Sequence, residues 1–142
     1  RNGKEITFFK EQYPNAKIIG TDISSTANMF ENMVEWDFHN VNEEWLNSFD
    51  IIYTNSFDHC FDPEKALSAW LGQLTENGKL YIELQLFNKV SKDTDPLLIS
   101  PEELKALAEK VGGVDKTGFD SYGICPVSKT PQKARTIVIG KK

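Results

Sequence analysis

The sequence predicts an α/β domain: a doubly wound, mostly parallel sheet covered by helices on both faces, with an antiparallel pair of strands at its C-terminal edge. Segments with helical spacing of apolar residues alternate with short strand-like segments along most of the chain, which is typical of parallel sheets. The last two strand-like segments, residues 114–124 and 135–139, have no helical pattern between them, so we expect them to pair antiparallel. A chain of 142 residues with 39% hydrophobic residues suits a single domain over residues 1–142.

The individual elements follow from local signals. Helices are predicted where apolar residues recur at helical spacing, over residues 5–13, 63–74 and 101–111. The second begins at Asp62-Pro63 and the third at a capping box, Ser100-Pro101-Glu102-Glu103. Strands are predicted where short apolar runs are bounded by turn residues, over residues 16–20, 33–38, 49–53 and 79–86. A turn or short helix is expected over residues 25–30, and we expect the third strand to be buried.

Composition narrows the classes of function. The net charge of -5 opposes binding to a phosphate backbone, so a nucleic-acid partner is disfavoured. Two cysteines, Cys60 and Cys125, lack the paired spacing of a zinc site and indicate a reducing, cytoplasmic setting with no metal. The apolar runs are far shorter than the ~20 residues of a membrane helix. Because the chain opens on Arg1 without a secretion signal, we expect an N-terminally truncated domain.

An acidic residue follows the first predicted strand. Asp22 lies 19 positions after Gly3, close to the spacing between a glycine turn and the carboxylate that accepts ribose hydroxyls in nucleotide sites. Arg1-Asn2-Gly3 directly precedes a predicted helix, as the last part of a glycine turn does. The alternative is that Asp22 caps the short helix from Ser25 onward.

The order of motifs resembles the class I S-adenosylmethionine-dependent methyltransferases, of small-molecule type. Ile18-Ile19-Gly20-Thr21-Asp22-Ile23-Ser24 is similar to their acidic second-strand motif, and Glu35-Trp36-Asp37-Phe38 to their third-strand motif. Residues 49–67 and 74–82 resemble the family's fourth-strand block and its fifth strand, although Glu76-Asn77-Gly78 replaces the usual Pro-Gly-Gly. The resemblance implies a Rossmann-like fold whose first strand is missing from the chain, and S-adenosyl-L-methionine as cofactor.

The same resemblance implies roles for individual residues. Asp22 holds the ribose hydroxyls, Ile23 packs against adenine, and Asp37 accepts from the adenine amino group beside Phe38. Both carboxylates are therefore expected to converge on one adenosine at the C-terminal rim of the sheet. For Trp36 and Phe38, packing in the core is an equal alternative.

The remaining cofactor-binding residues lie at the reacting end of the cofactor. By the resemblance, Asn2 and Gly3 flank its methionine end. Asn55, Ser56 and Phe57 follow the fourth-strand block and lie close to the sulfonium and its methyl group.

His59 is the candidate catalytic base, since an imidazole suits proton transfer near neutral pH, although the family's histidine before Asp-Pro is more often structural. His39 is expected in a partly exposed loop. Cys60 has no evident base beside it, so we expect a buried thiol rather than a nucleophile.

The sequence thus predicts a methyltransferase that moves a methyl group to an unidentified small-molecule acceptor, with no prediction of oligomeric state. One alternative is a catalytically degenerate domain of the same fold, and another is an NAD-dependent oxidoreductase, which shares the carboxylate at Asp22. The acceptor is expected to contact variable loops, for which residues 87–99 and 122–130 are the candidates.

Overall fold

The computed structural model describes residues 3–85, 96–117, 123–124, 131–132 and 134–142. Internal contacts divide the chain into two compact units. The first comprises Arg1–Phe38 with Ile124–Pro131, and the second comprises His39–Gly123 with Gln132–Lys142.

The first unit contains one helix and one pair of parallel strands. In chain order its elements are helix α1 (Lys4–Gln12), strand β1 (Gly20–Asp22), a 3₁₀ helix (Ser25–Met29) and strand β2 (Met33–Glu35). Strands β1 and β2 pair in parallel, with Gly20 opposite Met33 and Asp22 opposite Glu35. The expected strand over residues 16–20 is therefore displaced, because its main chain meets a partner strand only from Gly20 onward. The second strand stops at Glu35, short of the expected residue 38.

Helix α1 packs on β1 through Ile6, its buried side chain. A Cβ atom at Gly20 would lie 2.6 Å from Ile6 Cδ1 and 2.5 Å from Met33 Sδ, so only glycine permits this close approach. Tyr13, expected on the same face as Ile6, instead follows the last helical residue and is exposed. The reason is that Pro14 ends the helix and turns the chain before Tyr13 reaches that face.

The second unit is a four-stranded sheet with two helices. Its principal elements are strand β3 (Phe49–Thr54), helix α2 (Pro63–Gln73), strand β4 (Leu74–Gln85), helix α3 (Pro101–Lys110), strand β5 (Gly113–Asp115) and strand β8 (Ala134–Lys141). Two short strands, β6 (Gly123–Ile124) and β7 (Pro131–Gln132), form a separate pair. The sheet order is β3-β4-β8-β5, in which β3 and β4 are parallel and β8 is antiparallel to both of its neighbours.

Both predicted helix starts are confirmed. The Asp62 side chain accepts a hydrogen bond from the Lys65 amide at 3.1 Å ahead of Pro63. At α3 the Ser100 hydroxyl and the Glu103 carboxylate accept reciprocal backbone hydrogen bonds, which form the expected capping box. These bonds from Ser100 lower the pKa of Glu103.

The two faces of the four-stranded sheet differ in burial. One face carries four fully buried aliphatic side chains, Leu80, Ile82, Ile137 and Ile139. Helices α2 and α3 both meet this face at Gly113, where an added Cβ would lie 3.3 Å from Leu71 Cδ1 and 3.0 Å from the Ala108 carbonyl oxygen. Both helices of this unit therefore cover the same face.

The opposite face of this sheet is half-exposed and more polar. On β3 it includes Ile51, which is 59% exposed, so the expectation that the third strand is buried is wrong. The short apolar run was taken as a sign of burial on both faces. Burial instead follows the alternation of side chains, because both helices contact the other face.

The antiparallel C-terminal pair is confirmed, although β5 is only three residues long and β8 lies inside the sheet rather than at its edge. An ion pair ties β5 to α3, with Lys105 Nζ 2.8 Å from Asp115 Oδ2. Burial acts to raise the pKa of Asp115, but hydrogen bonds from Lys105 and Thr117 outweigh it and hold that pKa below its ordinary value.

Strand β4 begins earlier than the sequence predicts. Phe49 pairs with Leu74 and Ile51 with Lys79, so two steps along β3 match five along β4, and the residues between form the expected turn as an irregularity within the strand. At this point Gly78 lies against β3. A Cβ there would lie 2.8 Å from the Phe49 carbonyl oxygen and 3.1 Å from Leu74 Cβ.

We therefore expect Gly78→Ala to lower the free energy of unfolding by about 1–3 kcal/mol, because the new methyl group collides with main chain that cannot rotate away. Gly72→Ala is the matched control: its Cβ would meet only Leu46 Cδ2, at 3.5 Å, inside α2. There alanine should be neutral or stabilising by up to about 1 kcal/mol. Urea denaturation of both variants measures the difference, and equal midpoints would contradict it.

Candidate functional site

The N-terminus of α1 starts from a glycine in a left-handed conformation. Gly3 has φ 65° and ψ 15°, and it caps the helix without a side-chain hydrogen bond to the first turn. The first amide groups of a helix so capped remain available to an acceptor outside the helix. The expected glycine turn thus has the backbone that a glycine allows. Asn2, the other residue expected here, lies outside the described residues.

Asp22 shapes the turn that follows β1. Its Oδ1 accepts a hydrogen bond from the Ser24 amide at 2.8 Å, which closes a tight turn over Ile23. The 3₁₀ helix is capped by Ser24, whose hydroxyl accepts from the Thr26 amide at 3.3 Å. The alternative role for Asp22, as cap of the segment from Ser25, is therefore filled by Ser24. Asp22 is half-buried at the carboxyl end of its strand.

The two acidic residues of the first unit lie at neighbouring strand ends. The Trp36 amide donates to the Asp22 carbonyl oxygen at 2.9 Å, immediately after the last paired residues, Asp22 and Glu35. Asp37 is the next residue, so both carboxylates follow the C-terminal ends of adjacent parallel strands. Ligands bind at such strand ends in open α/β sheets.

The apolar residues of this group differ in exposure. Ile23 is 71% exposed in the turn after β1, so its side chain is open to a flat ligand. Phe38 and Trp36 are each half-buried, which is compatible with packing and with ligand contact alike.

The second unit holds the residues expected beside the reacting methyl group. Beyond β3, the Ser56 amide donates to Thr54 Oγ1 at 3.2 Å and the Ser56 hydroxyl donates to Asn55 Oδ1 at 3.1 Å. These two bonds hold Asn55 and Ser56 in one arrangement. Phe57 is fully buried and lies 5.7 Å from Trp70 between ring centroids, so its side chain packs in the core.

His59 lies at the surface of this unit next to an acidic neighbour. Its side chain is 53% exposed, and its Nε2 lies 3.9 Å from Asp58 Oδ1. That Asp58 oxygen is buried and has no hydrogen-bond partner. The Asp58 carbonyl oxygen accepts from the Leu97 amide at 3.1 Å, so part of the loop over residues 87–99 reaches this edge of the sheet. A carboxylate directed at an exposed imidazole can orient it for proton transfer.

His39 is a buried residue, and the expectation of a partly exposed loop histidine is wrong. It is 3% exposed, and its ring stacks on Phe61 with 3.8 Å between centroids. Its Nε2 lies 3.1 Å from Cys60 Sγ and accepts from the Asp62 amide at 3.4 Å. Cys60 is a buried free thiol, as expected, but a base does lie beside it. Sequence separation hid this pair, because only the fold brings residues 39 and 60 together.

A second polar pair was absent from the sequence-based expectations. The Tyr53 hydroxyl on β3 donates to Glu83 Oε2 on β4 at 2.6 Å, and both side chains are half-buried. Both residues were assigned to strands, and their proximity depends on the register between those strands.

Two further searches concern metals and membranes. Within the described ranges, no group of three or more histidine, cysteine, aspartate or glutamate side chains is arranged to hold a metal ion. Nor does any helix in this part of the chain have the length and apolar character needed to cross a membrane.

The contrast between the two histidines predicts different effects on stability. His39→Ala removes a buried ring and leaves the Cys60 thiol and the Asp62 amide without their acceptor, so we expect it to lower the free energy of unfolding by about 2 kcal/mol or more. His59→Ala, at an exposed position, should change it by no more than about 0.5 kcal/mol. Thermal denaturation of both variants checks this, and a stable His39 variant would refute the packing role.

Solved structures share this fold over nearly the whole chain. The 1,6-didemethyltoxoflavin-N1-methyltransferase of Burkholderia thailandensis, with S-adenosylhomocysteine bound, has a TM-score of 0.71 at 14% identity, over 99% of this chain and 67% of that one. A TehB-like SAM-dependent methyltransferase from Corynebacterium glutamicum has a TM-score of 0.69 at 18% identity, over 99% and 75%. LepI in complex with SAM has a TM-score of 0.68 at 11% identity over 99% of this chain.

This chain spans 40% of the length of LepI. No protein-family model and no curated protein matches the sequence. Identities of 11–18% establish the architecture alone. The chain has the fold of the class I S-adenosylmethionine-dependent methyltransferases, which confirms the Rossmann-like α/β class expected from its sequence.

Proposed function

We propose that this chain binds S-adenosyl-L-methionine and transfers its methyl group to a small-molecule acceptor. The observation that carries the proposal is the pair of acidic residues, Asp22 and Asp37, at the ends of two adjacent parallel strands. In this proposal Asp22 accepts hydrogen bonds from the ribose hydroxyls and Asp37 accepts from the adenine amino group.

The residues of the first unit suit such a cofactor in shape and in charge. Gly3 adopts φ 65°, a conformation that side chains disfavour, and it leaves the N-terminus of α1 without a side-chain cap. Amide groups at that terminus suit the carboxylate of the cofactor's methionine end. The exposed Ile23 follows Asp22 and offers an apolar surface to adenine.

When bound, S-adenosylmethionine supplies a methyl group activated by the adjacent sulfonium. The protein's task is then to align the acceptor and to exclude water. Asn55 and Ser56, held by their mutual hydrogen bond, are proposed to position the groups around the methyl carbon. His59, beside the buried Asp58 oxygen, is proposed to accept a proton from acceptors that must lose one.

Structures with the same fold support the cofactor. LepI has been determined with SAM, and the toxoflavin methyltransferase with S-adenosylhomocysteine and its substrate. The latter acts on a small molecule. A net charge of -5 is consistent with an acceptor of that kind and disfavours nucleic acid. The buried free thiol of Cys60 is consistent with the reducing, cytoplasmic setting that we propose.

A second candidate function is binding of the cofactor without methyl transfer. One structural relative is described as a pericyclic reaction enzyme, so this fold also serves chemistry other than methylation. Glu76-Asn77-Gly78, in place of Pro-Gly-Gly, also departs from the pattern of the family that the sequence resembles. Assaying methyl transfer to a metabolite panel, with protein already shown to bind cofactor, separates the two functions.

Cofactor binding predicts a rise in thermal midpoint with S-adenosylhomocysteine, because a ligand that binds only the folded state stabilises it. Asp22→Asn should weaken that binding by about 10- to 100-fold, since it removes a charge-assisted acceptor while its amide oxygen can still close the turn with Ser24. Isothermal titration calorimetry measures the affinity.

Glu31→Gln is the matched control, because Glu31 is an exposed carboxylate of the same unit whose recorded ion pair is with Lys10. Its affinity should equal that of the unmodified protein. An unchanged affinity in Asp22→Asn would leave Asp22 with only its role in the turn. A midpoint that rises with NAD and not with S-adenosylhomocysteine would favour the oxidoreductase.

A further inference from the structure

We propose that Glu83, held by Tyr53, recognises the nitrogen of a neutral amine or imidazole as the methyl acceptor. This inference rests on the proposed function, and it assigns a substrate class to the site. It concerns the second unit alone.

The hydrogen bond between the two side chains fixes the carboxylate. The Tyr53 hydroxyl donates to Glu83 Oε2 at 2.6 Å, with both groups half-buried. Among the described residues, Tyr53 is the recorded hydrogen-bond partner of this carboxylate, so Oε1 is left to accept from a ligand. A carboxylate that is already oriented loses little freedom when a ligand binds.

Strand register places Glu83 beside the residues proposed to surround the methyl group. Thr54 pairs with Ile82, so the next residues along the two parallel strands, Asn55 and Glu83, occupy the same level at neighbouring strand ends. Adjacent strands lie about 4.8 Å apart. The carboxylate is therefore one strand away from Asn55, at the carboxyl end of the sheet where ligands bind in this class of fold.

The face that carries this pair is suited to a cation. Tyr53 pairs with Tyr81, and Glu83 is two residues beyond Tyr81, so alternation puts the three residues on the half-exposed face of the sheet. The opposite face is aliphatic and buried. An acidic group among tyrosines favours a positively charged ligand through both charge and the aromatic rings.

The charge change of the reaction selects the acceptor class. The nitrogen lone pair forms the new bond to the methyl carbon, the carbon–sulfur bond breaks, and its electron pair stays on sulfur as a neutral thioether. Positive charge thus passes from sulfur to nitrogen, where a carboxylate stabilises it, and solvent then accepts the N–H proton. Anionic acceptors are repelled by Glu83, and carboxylates in general are too weakly basic to deprotonate a phenol.

The test uses methyl transfer from S-adenosylmethionine to four ring compounds: aniline, imidazole, phenol and benzoate. We expect turnover with aniline or imidazole and not with phenol or benzoate. Glu83→Gln should lower kcat/KM for the accepted nitrogen compound by about 10- to 100-fold, and Tyr53→Phe should lower it by a smaller factor. Glu76→Gln, a change of an exposed carboxylate at the other end of the same strand, should have no effect.

Thermal shift with S-adenosylhomocysteine is measured on every variant, so that folding and cofactor binding are known independently of turnover. Methylation of phenol or benzoate in preference to the nitrogen compounds, or an unchanged kcat/KM in Glu83→Gln, overturns the inference alone. The inference is also overturned if the cofactor product binds and neither nitrogen compound is methylated. If that product does not bind the unmodified protein, the proposed function fails together with it.

Discussion

The candidate site depends on one constraint: neighbouring parallel strands end at the same edge. In the first unit this constraint is set by β1 and β2, whose last hydrogen bond joins the Trp36 amide to the Asp22 carbonyl oxygen. In the second it is set by β3 and β4, where Asn55 and Glu83 follow the last paired residues. Polar side chains that are distant in sequence become neighbours because parallel pairing aligns their strand ends.

Burial in the second unit explains why its polar groups can serve a site. Helices α2 and α3 both cover the aliphatic face of the sheet, so the hydrophobic stabilisation of this unit comes from one side. The other face is left half-exposed, and it carries Tyr53 and Glu83. A fold that buries one face completely can keep ionisable groups on the other without the cost of burying charge.

Several residues near the site stabilise the fold rather than contact a ligand. His39 and Cys60 form a buried pair that links the start of the second unit to the segment before α2. Phe57 packs against Trp70. These residues maintain the loop that carries Asn55, Ser56 and His59, and a loop held in this way can present polar groups in a constant geometry.

The sequence by itself determined the α/β class, the capped starts of α2 and α3, the antiparallel C-terminal pair and the acidic residue after the first strand. These features depend on local signals, such as Asp62-Pro63 and the Ser100 capping box, or on periodicity. Only the tertiary structure decided which face of the sheet is buried, that His39 meets Cys60, and that Tyr53 meets Glu83. Those outcomes depend on strand register and helix packing, which join residues that local signals do not relate.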